Sequence, residues 1–123
     1  MSMITHDDSA ITPDYIEEVF EYLKTSARAR RFVHFSDIER LLGRELSRSQ
    51  WHLLFDPIYE EVKRRQGRPD LTCIVVYETG DRRGYPPFFS DGGPARSRPF
   101  NPNNLRQLAR WTREVEQVFS TPW

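Results

Sequence analysis

Apolar residues at Ile16, Val19, Phe20, Leu23 and Ala27 recur at i, i+3, i+4, i+7 and i+11, the spacing that lines one face of a helix. Thr12-Pro13 ahead of them reads as an N-cap with proline at the first helical position. Asp14, Glu17 and Glu18 fall in the first turns, where the helix dipole favours anions, so the pattern predicts a helix over 13–27. "RRFVHF" (30–35) is short, β-branched and aromatic, and reads as a strand. Ser36 then caps "DIERLL", a short helix that Gly43 ends. Ser47 opens a further helix with Trp51, Leu54, Phe55, Ile58 and Val62 on one face. Pro57 conflicts with the carbonyl four residues earlier, so this helix either kinks or restarts at Asp56 and runs to about residue 66.

"LTCIVVY" (71–77) is apolar at almost every position and reads as a strand covered on both faces. "ETGDRRG" (78–84) is turn-rich, and "YPPFF" (85–89) reads as a return along an edge, because Pro86 and Pro87 donate nothing to a ladder. Asn101-Pro102 repeats the cap-and-proline signal. The last helix, over 102–119, carries Leu105, Leu108, Trp111, Val115, Val118 and Phe119 toward the core. The domain expectation is a flexible stretch over 1–12 and one domain over 13–123, with a Pro/Gly-rich loop over 84–101. Within it, Trp51, Leu54, Phe55, Ile58, Ile74, Val76, Leu105, Leu108 and Val115 are expected to be mostly buried.

The order of elements is α+β and resembles a winged helix, a helix-turn-helix followed by a β-hairpin wing, with an additional C-terminal helix. The likeness spans roughly residues 13–90 and rests on that order and on "FVHFSDIERLLGRELSRSQW", a strand entering a helix-turn-helix. "PDLTCIVVYETGDRRGYPPFF" is also similar to a winged-helix-like segment of bacterial proteins linked to restriction, phage defence and mobile elements. No catalytic residue transfers with either likeness.

Charge leaves binding open. The net charge is zero, yet residues 24–123 hold all 18 basic residues against 12 acids, an imbalance that permits a nucleic-acid or acidic partner. The winged-helix resemblance implies double-stranded DNA as that partner, with base contacts near the start of the second helix of the helix-turn-helix, where Arg44, Arg48, Gln50 and His52 stand. It implies phosphate contacts at the wing, where Arg82 and Arg83 stand with Arg96 and Arg98 just beyond. The competing expectation is a protein-interaction domain of a phage, defence or mobile-element system, with Tyr85, Phe88, Phe89, Phe100 and Trp123 as aromatic anchors. Self-association through the first and last helices is a further route.

A catalytic constellation is missing from the sequence. Pro69-Asp70 and Glu78 imitate two parts of a restriction-type metal site, but Gly80 stands where that site needs lysine. His6, His34 and His52 lack paired spacing, and Cys73 alone cannot complete a Cys/His cluster. The reading is therefore non-enzymatic, without cofactor or metal, with Cys73 as a small buried hydrophobe. "MSMITHDDSAIT" has neither the basic region nor the apolar stretch of a secretory signal, and no apolar run approaches the roughly 20 residues that span a bilayer. With a single cysteine, a cytoplasmic location and no membrane are expected.

Overall fold

The computed structural model describes residues 10–87 and 99–123. Over these described residues the structure is α+β, with four α-helices and a small two-stranded parallel sheet. Helix α1 spans Pro13–Arg28, with Thr12 accepting a hydrogen bond from the Tyr15 N–H at 3.2 Å, as the sequence indicates. Its C-terminus closes in a Schellman arrangement. Arg31 N–H donates to Ser26 C=O and Arg30 N–H to Ala27 C=O, both at 2.9 Å, and this puts Arg30 in the left-handed region at φ 56°.

Strand β1 is only Val33–His34, and α2 spans Phe35–Leu42, so the helix begins one residue before the expected cap. His34 takes the N-cap position, its N–H donating to Asp37 Oδ2 at 3.0 Å. The Ser36 hydroxyl donates instead to Glu78. Gly43 ends α2 at φ 73°, a conformation that costs glycine nothing.

Helix α3 (Arg48–Tyr59) runs unbroken through Pro57 and widens into a π-helical turn over Glu60–Arg65. No second helix starts at Asp56. Proline removes the N–H that would donate to the Leu53 carbonyl, and Leu53 lies on an exposed part of the helix, 55% exposed.

The expected strand over 71–77 shrinks to β2, Val75–Val76, which pairs in parallel with β1 through Val33 opposite Val75 and His34 opposite Val76. Leu71–Ile74 is a 3-10 turn. Asp70 Oδ1 accepts from the Thr72 N–H at 3.0 Å and the Thr72 hydroxyl at 2.6 Å, and so draws the backbone into a turn before extension begins. Burial on both faces holds, since Ile74, Val75 and Val76 are all buried. The turn that follows is closed by Tyr77 N–H to Tyr85 C=O (3.0 Å) and Gly84 N–H to Tyr77 C=O (2.9 Å). Tyr85–Pro87 does not form the expected return strand, consistent with two prolines that cannot donate, and Phe88 and Phe89 lie outside the described residues.

Asn101-Pro102 forms a turn rather than a helix start, with Asn103 N–H donating to Asn101 Oδ1 at 3.0 Å. Helix α4 spans Leu105–Ser120 and is capped by Asn104, which accepts from Gln107 N–H at 3.1 Å. Leu105, expected in the core, is 77% exposed because it opens the helix beyond the core's edge.

The core gathers Val19, Leu23 and Ala27 of α1, Ile38 of α2, Leu54 and Ile58 of α3, and Val115 and Val118 of α4 around the buried 71–76 segment. Trp51, Phe55 and Leu108, expected there as well, are half-buried and pack against it. Among the described residues, no helix is long and apolar enough to cross a membrane.

Candidate functional site

The start of α3 is fixed by a reciprocal cap. Ser47 Oγ accepts from Gln50 N–H at 3.3 Å, and Gln50 Oε1 accepts from Ser47 N–H at 2.8 Å. This cap removes Gln50 from the base-reading set, because its side chain is buried and turned back on the backbone. The signal was in the sequence, since Ser47-Arg-Ser-Gln50 is the S-x-x-Q capping pattern. Arg44 is half-buried, with one guanidinium nitrogen donating to Ala10 C=O at 3.3 Å and its carbon 5.9 Å from the Tyr15 ring centre, so it ties the segment just before α1 and the first turn of α1 to the end of α2. Arg82 donates to the Phe100 carbonyl. Arg48 and Arg83 are exposed, His52 is half-buried, and Arg96 and Arg98 lie outside the described residues.

The aromatic anchors divide differently than expected. Phe100 is a core residue with no exposure, stacked against Tyr85 at 5.8 Å and tilted against Trp111 at 5.6 Å. Its N–H donates to Pro87 C=O at 3.0 Å, joining the two ends of the Pro/Gly-rich loop. It is therefore part of the core and offers no surface. Tyr85 is half-buried in the same cluster. Trp123 is half-buried just after α4, its indole N–H donating to Val118 C=O at 2.7 Å.

A concave aromatic surface lies elsewhere. Phe35, at the first position of α2, meets Trp51 edge-on at 4.9 Å and Tyr77 at 5.5 Å, and Trp51 lies 5.6 Å from Phe55 one turn along α3. With Leu46 and Pro87 these rings line a cleft of about 290 Å³, and Arg48 and His52 stand on its wall. The cleft exists because Trp51 and Phe55 occupy the flank of α3's apolar face. Leu54 and Ile58 take the centre of the core, leaving the two rings half-buried at its margin. Sequence reasoning assigned both rings to the core. The i, i+4 pair Trp51/Phe55 beside the helix-opening Phe35 was legible only as apolar pattern. What brings Tyr77 to them is the parallel pairing of β1 with β2, a contact between residues 42 positions apart.

The metal-site imitation does not assemble. Asp70 is buried, whereas Glu78 is exposed and bonded to Ser36. Asp70 belongs to a polar junction beneath α4, where Glu114 Oε2 accepts from both the Asp70 N–H and Lys63 Nζ, each at 2.7 Å. Burial pushes the Asp70 carboxyl up to about 6, against the opposing pull of its two Thr72 hydrogen bonds. Burial likewise pushes the Cys73 thiol well up, helped by the nearby Asp70 and Glu114 charges. Among the described residues, no group of three His, Cys, Asp or Glu side chains could hold a metal ion. Comparisons with protein-family models, with curated proteins and with solved structures return no match to this chain.

Proposed function

We propose that this chain is a non-catalytic binding domain, built on a winged-helix-like order of elements, whose aromatic cleft receives a segment of a partner protein. The observation that carries this reading is the cleft itself, with Phe35, Trp51, Phe55 and Tyr77 gathered around about 290 Å³ and, among the described residues that line it, Arg48 and His52 as the cationic or protonatable groups. Rings that are partly desolvated and held rigidly by their neighbours are the usual anchors of protein interfaces, and arginine is enriched beside them. The matching segment presents an apolar or aromatic side chain to the rings and a carboxylate to Arg48. The winged-helix part of the reading is supported by the order α1–β1–α2–α3–β2–turn over residues 13–85.

Duplex DNA contact is the second reading, favoured by the exposure of Arg48 at the start of α3 and of Arg83 on the turn bonded beside Tyr77. It has fewer side chains to rest on, with Gln50 committed to its cap and Arg44 and Arg82 held on carbonyls. Both readings are addressed by selecting peptides from a displayed random library and titrating the winners, alongside a mixed-sequence duplex, by fluorescence anisotropy. A consensus pairing an aromatic with an acidic residue, bound at least ~10-fold more weakly by Arg48→Glu, supports the cleft. The reading fails if no consensus emerges, or if the selected peptides bind Arg48→Glu and Phe55→Ala as well as the parent. Duplex binding below ~100 μM at low salt, abolished by Arg48→Glu and Arg83→Glu, would transfer the function to DNA.

A further inference from the structure

A second surface, sharing no residue with the cleft, is formed where α1 ends against the end of α4. Arg28 Nε donates to the Trp123 carbonyl at 2.8 Å, and Arg30 donates to the Phe119 carbonyl at 3.2 Å. The Arg30 guanidinium also lies 5.6 Å from the Phe119 ring centre, and that of Arg68 lies 5.4 Å from the Trp123 ring centre. Arg31 is exposed beside Arg30. Phe32 follows, 43% exposed and packed on Phe119 at 5.5 Å and Trp111 at 6.1 Å. Three guanidinium groups and a partly open ring thus share one corner, with the exposed Arg31 next in the chain.

Ion pairing with carboxylates does not extend to this corner. Lys24, Arg40, Lys63, Arg64 and Arg65 each have a carboxylate partner within 4.0 Å. Among the described residues, Arg28, Arg30 and Arg68 are held by carbonyls and rings, Arg31 is exposed, and none of the four forms such an ion pair. Glu21 is held below the usual carboxylate range first by its hydrogen bond from Lys24 and more weakly by the Arg28 charge. A guanidinium carries five N–H donors, and the contacts of Arg28 and Arg30 use one each. These exposed side chains are therefore oriented in advance, with most of their donors outside those two contacts.

The backbone supplies an independent observation. Arg30 sits at the left-handed position of the Schellman arrangement, φ 56°, where glycine is the ordinary occupant and a side chain is disfavoured. Folding alone favours glycine there. The guanidinium that replaces it reaches the aromatic corner.

We infer that this corner binds the phosphate backbone of single-stranded nucleic acid, with guanidinium groups on successive phosphates and a base stacked on Phe32. Arginines fixed on aromatic faces present planar donor edges that match phosphate oxygens. An open ring among cations is the arrangement that holds unpaired bases, since stacking needs a free base face that a duplex does not offer.

The test titrates the full chain into a labelled mixed-sequence single strand of about 20 nucleotides, the matching duplex and polyglutamate, at two salt concentrations. The single strand is expected to bind most tightly. The Arg30→Gly, Arg31→Ser double variant should bind it at least ~10-fold more weakly, with the slope of log affinity against log salt flattened by about 1.4, or about 0.7 for each lost contact on a single strand. Arg30→Gly alone separates binding from folding, because glycine suits that backbone. Its melting temperature should equal or exceed the parent's while its affinity falls. Phe32→Ser should weaken single-strand binding. The inference is overturned by no single-strand binding below ~100 μM at low salt, by unchanged affinity in the Arg30/Arg31 double variant, by tighter binding of duplex, or by binding of polyglutamate in its place. None of these outcomes bears on peptide binding at the cleft.

Discussion

Asp70 makes stability depend on pH in a direction opposite to that of most carboxylates. Its side chain is almost wholly buried, and ionising it there forfeits hydration that two hydrogen bonds from Thr72 do not restore. The folded-state value of about 6 stands above the ordinary 3.8, so between these pH values the native chain holds more of this proton than the unfolded chain does. Stability from this group is thus fully present below about pH 4 and is lost as pH rises through about 6. The gap of about 2 pH units corresponds to about 3 kcal/mol. Asparagine in place of this aspartate would keep an oxygen for both Thr72 donors and would remove the titration. The assay is urea unfolding of parent and Asp70→Asn, followed by tryptophan fluorescence at intervals from pH 4 to 8. Relative to the parent, Asp70→Asn should gain about 3 kcal/mol across pH 4–6 and show no further change above pH 7. A difference that is flat across that window, or one that moves against the variant as pH rises, would refute the assignment of burial as the dominant effect.

The core and the thiol give two further predictions. Leu54→Ala and Ile74→Ala should each cost about 2–5 kcal/mol, because both side chains are fully buried where α3 meets the 71–76 segment, and chemical denaturation measures this directly. Near-parental stability in both would contradict that packing. Cys73 should react with a thiol reagent at least ~100-fold more slowly in the native chain than in denaturant, since burial blocks access and disfavours the thiolate. Native labelling at the denatured rate would mean that the 71–74 turn is open.

The legible parts of this fold are those set by local chemistry. Thr12-Pro13 and the Ile16–Ala27 stripe name α1 almost to the residue, because cap, proline and apolar face are all written within 16 positions. Gly43 and Ser47 likewise mark the end of α2 and the start of α3. Where reading failed, two local signals competed and a distant contact chose between them. "LTCIVVY" has strand composition throughout, yet the Asp70-Leu-Thr72 turn claims its first half, with the Asp70 N–H committed to Glu114 from α4. At 101–104 two asparagines could each cap a helix. Asn101 closes a turn, its N–H bonded to Gln107, and leaves the cap to Asn104.

The same distinction governs the two surfaces. Periodicity marks Trp51 and Phe55 as apolar but says nothing of which apolar residues stand at the margin of a core. That depends on β1 lying parallel to β2, which carries Tyr77 to Phe35. The arginines were visible as a basic excess, and the helix-turn-helix resemblance drew attention to Arg44, Arg48 and the turn at 82–83. Sequence distance hid Arg28, Arg30 and Arg68, which meet only because α4 returns Phe119 and Trp123 across the end of α1. Charge alone would have let these side chains spread into solvent. Their convergence on two aromatic residues, with Arg30 in a glycine's backbone conformation, ties the basic excess of the chain to a place in the fold.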